Sequence, residues 1–429
     1  MRILSHLRQS RLHRNIIALT SGTAAGQAIT LVFSPLITRI YSPEVFGLQG
    51  LFLSFVSILT PIIAMRYPLA IVVADNHDEA TRLGQASMLI SFLLALILSV
   101  VLAVAQQPVL VLVGAEQLGN LIWFLPLAVV CVAAQDVATF HVSRQSNFSR
   151  IGAVTAVQAL LSNVARVLGG LLAPVAAVLV TVTSITPAIQ ALMLGGGGRR
   201  DFGARTNHAL RDLLPTLHKH RDFPIYRAPN DLLNAGSQAV PVILLASLFS
   251  PAIAGLYVLT RSVLNLPMNL VGAAIGNVLY ARFAELHRAG EQLSPLLVRS
   301  TFGLGALIPP IVGAAWFAPY VFAFVFGEEW REAGEYARWM SIWIAFMIAN
   351  VPATRLAPVI RRQAALMAYN IVLLVIRVAA VWIPFSRGGQ PIESVAWYSV
   401  TSAVMAVLSI AVFFIFAAAF DRAHRDEAA

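Results

Sequence analysis

The 429-residue sequence contains one cysteine, Cys131, and one lysine, Lys219. A single cysteine excludes an intrachain disulfide and any cysteine-based metal site. Charged residues are also scarce, at 12% of the chain, whereas soluble globular domains carry roughly 25%. The low charge content therefore excludes an ordinary soluble domain.

Apolar residues make up 58% of the chain, and the mean hydropathy is +0.76. A bilayer core of about 30 Å requires roughly 20 apolar residues per helix. Runs of that length recur along the sequence, and they predict an all-α polytopic membrane protein with about twelve transmembrane helices. The predicted spans are 16–40, 45–73, 83–105, 118–141, 151–172, 174–194, 223–249, 252–280, 296–320, 338–360, 364–385 and 394–418. No charge separates the fifth span from the sixth. If the helix continued through Pro174, the number of spans would be odd instead of even.

The formal net charge is +10, and nearly all the basic residues are arginine. In a soluble protein this charge would indicate nucleic acid, but in a membrane protein the first test is whether the basic residues lie on one side. With a cytoplasmic N-terminus, the twelve-span topology puts 20 of the 30 basic residues inside and four outside. The charges therefore predict that both termini are cytoplasmic, and they predict no nucleic-acid partner.

The middle of the chain is glycine-rich and then charged, and it divides the sequence into two sets of six spans. We predict an N-terminal lobe over 1–194, a cytoplasmic linker over 195–222 and a C-terminal lobe over 223–429. Within the linker, leucines recur with helical spacing opposite charged residues, which predicts an amphipathic helix on the cytoplasmic surface. The leucines are Leu210, Leu213, Leu214 and Leu217.

A short motif recurs in the two halves. The segment "YSPEVFGLQGL" at 41–51 and the segment "FSPAIAGLYVL" at 249–259 share five identities, and each follows the first span of its half. Serine suits a helix N-cap, and proline suits the first turn of a helix. Because six spans separate the copies, they predict two six-helix lobes of the same orientation, related by a pseudo-two-fold axis along the membrane normal.

Several stretches carry a family resemblance: "RIYSPEVFGLQGLFLSFVSIL", "MRYPLAIVV", "HRDFPIYRAPNDLLNAG" and "FSPAIAGLYVLTRSVLNLP". Together they resemble the Wzx-type polysaccharide or O-antigen repeat-unit flippases of the multidrug/oligosaccharidyl-lipid/polysaccharide exporter superfamily. That resemblance implies movement of undecaprenyl-diphosphate-linked oligosaccharide to the periplasmic leaflet of the bacterial inner membrane, by alternating access. It implies lipid-linked oligosaccharide and membrane lipids as partners, with a polysaccharide polymerase and chain-length machinery as further ones.

Six arginines and two aspartates fall within the predicted spans. A charge near the bilayer centre costs about 3 kcal/mol on insertion scales, so such residues usually face a cavity or a partner. Two of the arginines, Arg227 and Arg355, lie close enough to a cytoplasmic end to snorkel. The predicted cavity set is Arg66, Arg166, Arg261 and Arg377, joined on the helix of Arg261 by Asn265 and Asn269. Polar stripes of this kind also line helix packing interfaces, and that interpretation stays open.

The two intramembrane aspartates are Asp136 and Asp231. They could pair with arginines or bind a coupling cation, H⁺ or Na⁺, and the sequence leaves both interpretations open. We predict no other cofactor. Since no nucleotide-binding loop is visible, the energy would come from an ion gradient, the membrane potential or consumption of the product.

Two alternatives remain at this point. A cation-coupled multidrug exporter of the same superfamily would favour carboxylates and aromatic residues, whereas arginines outnumber aspartates six to two within these spans. A membrane-bound glycan biosynthetic enzyme would need an acidic metal site or a large catalytic loop. The sequence favours a transporter and predicts that the chain is not an enzyme.

The topology can be tested with single cysteines in a Cys131→Ser background. A membrane-impermeant thiol reagent applied to intact cells should label cysteines at Gly327 and Gln390, which follow outward spans, and should not label one at Gly197. Labelling at Gly197 in intact cells would contradict the predicted sidedness.

Overall fold

The computed structural model describes residues 2–195, 210–360 and 362–428, and these residues form seventeen α-helices and no strand. The helices are α1 Arg2–Ile40, α2 Pro43–Ile63, α3 Tyr67–Ala70, α4 His77–Leu112, α5 Phe124–Arg144, α6 Phe148–Leu172, α7 Ala176–Gly195, α8 Leu210–Lys219, α9 Ala228–Leu248, α10 Pro251–Arg288, α11 Ser294–Gly305, α12 Ile308–Ala315, α13 Ala318–Phe326, α14 Arg331–Ala349, α15 Val351–Val359, α16 Gln363–Ser386 and α17 Pro391–Ala428.

The prediction of an all-α polytopic membrane protein is confirmed. Within the described ranges, ten helical segments are long and apolar enough to cross a membrane, and the count of twelve stays a prediction. The break between the fifth and sixth predicted spans is present, because α6 ends at Leu172 and α7 begins at Ala176, on either side of Pro174. Proline disfavours a helical conformation at the residue before it, and Ala173 is accordingly extended.

The chain forms two compact units, Met1–Ala239 and Val240–Ala429. The dividing point lies inside α9, whereas the sequence placed the start of the second lobe at 223. The first turns of α9 belong to the first unit because Asp231 forms an ion pair there with Arg66. The predicted boundary was based on the composition of the linker, and composition does not predict an ion pair between distant residues.

The repeated motif begins equivalent helices in the two units. Pro43 starts α2 after Ser42, and Pro251 starts α10 after Ser250, whose side chain accepts a hydrogen bond from the N–H of Ile253. The aromatic residue before each serine also contacts the fifth long helix of its own unit. Tyr41 donates a hydrogen bond to a carbonyl of α6, and Phe249 packs edge-on against Phe385 of α16. The repeat is therefore present in the packing of each unit as well as in the sequence.

The amphipathic linker helix is present as α8, but its leucines do not form a single buried face. Leu213 is buried and Leu217 packs against the cluster formed by α3 and α4, whereas Leu214 is 67% exposed. The helix is docked on the first unit by side-chain contacts to α3 and α4. Leu210 lies outside the residues whose side chains are described.

A buried carboxylate on α17 fixes the start of α11. Asp421 is 4% exposed, and its two oxygens accept hydrogen bonds from the backbone N–H groups of Leu293 and Ser294, at 2.8 and 2.9 Å. The first N–H groups of a helix have no partner within the helix, and a negative charge at this end is favourable. Asp421 therefore ties the C-terminal part of α17 to the α10–α11 connection.

We expect Asp421→Ala to lower the free energy of unfolding by about 2 kcal/mol, because two buried N–H groups lose a charged acceptor. Asp421→Asn keeps one acceptor oxygen and should cost less. Thermal unfolding of the detergent-solubilised protein measures both effects. Glu285→Ala serves as the control, since Glu285 is exposed and pairs only with Arg282 one turn away. An unchanged melting temperature for Asp421→Ala would contradict the capping role.

Candidate functional site: intramembrane charges in two units

The second predicted span is broken near its C-terminal end. After α2 ends at Ile63, Met65 and Arg66 both adopt left-handed backbone conformations, with φ of 49° and 58°. Pro61 and Pro68 flank the break, and a proline within a continuous helix would remove a backbone hydrogen bond. Left-handed non-glycine residues cost about 1–3 kcal/mol each, so the surrounding structure must stabilise this turn.

The side chain of Arg66 is neutralised by carboxylates from two other helices of the first unit. Its Nε lies 2.9 Å from Oδ2 of Asp231 on α9, and its Nη1 lies 3.7 Å from Oδ2 of Asp136 on α5. Arg227, one turn before Asp231, approaches the same carboxylate at 3.2 Å. The structure thus brings together three of the predicted site residues, and both aspartates form ion pairs.

The segment that follows Arg66 is held by contacts with α5 and α8. The guanidinium of Arg144 donates to the carbonyl of Ile71 at 3.1 Å, at the start of a 3₁₀ turn over Ile71–Val73, and to the carbonyl of Ala74, which follows that turn. The hydroxyl of Tyr67 donates to the carbonyl of Leu217 on α8 at 3.3 Å. The bonds from Arg144 provide partners for backbone groups that leave the regular helical pattern at the end of a membrane span.

Lys219 of α8 contacts the loop before α4 and the first turn of α4. Its Nζ lies 2.7 Å from Oδ2 of Asp75 and 2.6 Å from Oε1 of Glu79. These hydrogen bonds raise the pKa of Lys219 above its ordinary value of 10.5. Because the pKa is raised, the contribution of the ion pair to stability is present at neutral pH. It is lost only as the pH rises through the raised pKa of the folded protein.

Arg166 lies elsewhere in the first unit, on α6, and its partners are neutral. Its Nη2 is 3.5 Å from the hydroxyl of Thr183 on α7, which accepts a second hydrogen bond from Gln49 on α2 at 2.8 Å. The Nε of Arg166 is buried and has no hydrogen-bond partner among the described residues. Burying a guanidinium N–H without a partner costs free energy. Binding of a hydrogen-bond acceptor at this position would remove that cost.

In the second unit, Arg377 of α16 is covered by aromatic side chains. It is 5% exposed, and its guanidinium carbon lies 5.3 Å from the ring centres of both Trp343 and Tyr398. Its Nε also donates to the hydroxyl of Ser402 at 3.3 Å. Cation–π contacts of this kind stabilise a desolvated arginine by about 2 kcal/mol. The predicted cavity role of Arg377 stays a prediction, and in this conformation its contacts are those of a packed interior.

Arg261 and Asn265 lie on successive turns of α10, and both are half-buried. Tyr257, one turn before Arg261, packs edge-on against Tyr398, with ring centres 6.1 Å apart. The aromatic group around Arg377 therefore extends to the helix that carries Arg261. The side chain of Asn269, the third polar residue of the predicted stripe, lies outside the described residues.

Two arginines that were predicted to snorkel, Arg227 and Arg355, have defined contacts in the structure. Arg227 is paired with Asp231, and the spacing of four residues was a signal that could have identified it. Arg355 lies against α10 at Gly276, where an added methyl group would come within 2.7 Å of its Nε. Snorkelling to the headgroups was therefore an incomplete account of Arg355. No local pattern connects Arg355 to a glycine on a distant segment of the chain.

Comparison with known proteins assigns the family. Residues 36–335 match the family described as Polysaccharide biosynthesis protein. The chain belongs to this family. The resemblance to polysaccharide-repeat flippases inferred from the sequence is thereby confirmed at the family level.

Two curated proteins are similar to this chain in sequence. The chain is 22% identical to the succinoglycan biosynthesis transport protein ExoT of Rhizobium meliloti (strain 1021), over 71% of this chain and 60% of the relative. It is also 22% identical to the lipopolysaccharide biosynthesis protein WzxC of Escherichia coli (strain K12), over 50% and 43%. The matches thus span less than two thirds of the length of either relative.

Solved structures support the fold of this polysaccharide biosynthesis protein. The lipid II flippase MurJ, in an inward closed conformation, matches with a TM-score of 0.74 and 11% identity, over 92% of this chain and 86% of MurJ. An inward-facing multidrug resistance MATE family transporter of the MOP superfamily matches with a TM-score of 0.65 and 12% identity, over 98% and 99%. At these identities the likeness concerns the fold, and the two-lobe transporter fold predicted from the sequence is confirmed.

The ion pair of Arg66 can be tested by a double-mutant cycle. We expect Arg66→Ala and Asp231→Ala each to lower the free energy of unfolding by about 3 kcal/mol, because each leaves a partly buried charge with a weaker partner. The double variant should cost clearly less than the sum of the two. Denaturation of the solubilised protein measures all three, and Arg227→Ala, which removes a 57% exposed partner of the same carboxylate, should cost under about 1 kcal/mol. Additive losses would contradict direct coupling.

Proposed function

We propose that the protein is a flippase that moves undecaprenyl-diphosphate-linked oligosaccharide repeat units from the cytoplasmic to the periplasmic leaflet of the bacterial inner membrane. Its family, and relatives named for succinoglycan transport and for lipopolysaccharide biosynthesis, support this function. The product would serve polysaccharide or lipopolysaccharide synthesis, and a polymerase with its chain-length machinery would consume it. The protein would act as a transporter rather than an enzyme, with both termini in the cytoplasm.

The observation that carries the proposal is the environment of Arg166. A guanidinium within a membrane-spanning helix, with neutral partners and a buried Nε that has no hydrogen-bond partner among the described residues, suits an anionic ligand. Arginine donates in a planar fork that matches phosphate oxygens. A diphosphate headgroup has the charge and the acceptors that this site would bind.

Other predicted residues take different roles in this proposal. Arg261, with Asn265 and Asn269 on the same helix, would form a polar wall of the second unit for phosphate and sugar hydroxyls. The buried Arg377 would support the wall through its aromatic contacts, and it would reach substrate only in another conformation.

The carboxylates of Asp136 and Asp231 would couple transport to a cation. Both pair with Arg66 here, and the pair with Asp136 is the longer, at 3.7 Å against 2.9 Å. A displacement of Arg66 toward a phosphate would leave two carboxylates to accept H⁺ or Na⁺. Binding of the anion and binding of the cation would then favour each other.

The second candidate function is a cation-coupled multidrug exporter, which the MATE likeness in fold would permit. Permanent positive charge at Arg166 disfavours a cationic drug, since like charges in a low-dielectric interior repel strongly. A glycan biosynthetic enzyme has less support, since the relative with the longer match is named as a transport protein.

The test is complementation of a gene deletion. A deletion strain should accumulate complete lipid-linked repeat units on the cytoplasmic face. Arg166→Ala should lower surface glycan about tenfold or more at unchanged membrane abundance, because a charge-assisted hydrogen bond contributes about 1.5–3 kcal/mol. Arg166→Lys should give an intermediate value, since it keeps the charge and loses the fork.

Arg387→Ala is the matched control, because Arg387 is an exposed arginine in a predicted outside loop. Incomplete repeat units in the deletion strain would indicate a biosynthetic enzyme. Normal surface glycan with Arg166→Ala would exclude Arg166 from the substrate site.

A further inference from the structure

The single lysine of the chain occupies a position for which arginine is poorly suited. The ammonium of Lys219 lies between Oδ2 of Asp75 and Oε1 of Glu79, at 2.7 and 2.6 Å. An ammonium carries three donors around one point, so it can serve two carboxylates that approach from different directions. A guanidinium presents its donors in a flat fork that favours one carboxylate. The geometry therefore suits a lysine, in a chain whose other Lys and Arg positions are all arginine.

Glu79 links this lysine to the backbone before α4. Besides Lys219, its Oε1 contacts Nε2 of His220 at 3.0 Å, and its Oε2 accepts the N–H of Asp75 at 2.7 Å. The Glu79 side chain is 7% exposed. Removing Lys219 would leave a buried carboxylate without its strongest counter-charge, which makes this contact a strong restraint on the position of α8.

The backbone between Asp75 and Arg66 is short and tightly packed. Ala70 and Ile71 have no exposed surface, and Arg144 binds the carbonyl groups at the end of the segment. At the other end, Tyr67 donates to a carbonyl of α8. The two contacts with α8 therefore bracket the segment, and a packed segment of this kind transmits displacement from one end to the other.

The left-handed turn at Met65 and Arg66 needs this support. Neither residue is glycine, and a left-handed conformation at two consecutive positions persists only where surrounding contacts require it. The pairs of Arg66 with Asp231 and Asp136 restrain its side chain, whereas the contacts of α8 restrain the backbone that follows.

We propose that α8 holds the Arg66 turn in its left-handed form, and that Lys219 is a positioning residue that acts on Arg66 through Glu79 and the segment 67–75. Loss of the Lys219 contacts releases the segment and lets the turn at Arg66 relax. The effect on the turn is independent of the transported substrate, and only its consequence for transport rests on the proposed flippase function.

The experiment measures the turn directly. A cysteine is introduced at Met65, which is 41% exposed, in a Cys131→Ser background, and its rate of modification by a thiol reagent is followed in inside-out vesicles. Lys219→Met should change this rate at least threefold, whereas Lys219→Arg, which keeps the charge, should change it less. Arg221→Met is the matched control, because Arg221 is an exposed basic residue two positions further on, and it should leave the rate unchanged.

Coupling through Glu79 has its own readout. Glu79→Gln should change the labelling rate in the same direction as Lys219→Met, and the double variant should match the single ones. If Lys219→Met is lost from the membrane, Glu79→Gln keeps the shape of the side chain and serves in its place. An unchanged rate in both variants, or additive effects in the double variant, would overturn the proposal.

Transport assays separate this inference from the proposed function. A changed labelling rate together with reduced surface glycan supports both. A changed labelling rate in a protein whose deletion leaves lipid-linked intermediates unaffected supports the positioning role of Lys219 and contradicts the flippase function.

Discussion

Hydrocarbon cannot solvate a charge, and this constraint explains the contacts of three arginines that lie within membrane spans. Arg66 is neutralised by two carboxylates, and Arg377 is packed between two aromatic rings. Arg166 has a neutral hydroxyl partner and a buried Nε without one among the described residues. These three environments differ in how much positive charge remains available to a ligand. Arg166 retains the most, which is why it carries the functional proposal.

The same solvent constraint applies to the backbone. Where the second span breaks, carbonyl groups leave the helical pattern and are bound by Arg144. Where α11 begins, Asp421 binds the first N–H groups. In both places a charged side chain from a distant part of the chain provides what water would provide at the surface of a soluble protein. Charges near helix ends thus satisfy backbone groups of other segments in both places.

The two units share a repeated motif but differ in the side chains that surround an arginine on their equivalent helices. Tyr41 and Phe249 occupy equivalent positions and contact the fifth long helix of their own unit. That helix carries Arg166 in the first unit and Arg377 in the second. Neutral polar groups surround the first arginine, and aromatic rings surround the second. The framework is shared, and the surroundings of the charge are specific to each unit.

The sequence by itself determined the class of fold, the family and which residues carry charge into the membrane. Hydrophobic run length is a local property, and in a bilayer it leaves the backbone little choice but a helix. Local spacing was also sufficient to predict α8 and the break at Pro174. Only the tertiary structure decided that Asp231 pairs with Arg66, that Arg355 lies against Gly276 and that Lys219 pairs with Glu79. Each of these contacts joins residues far apart in the chain, and the free energy of a buried charge depends on which partner the folded helices bring to it.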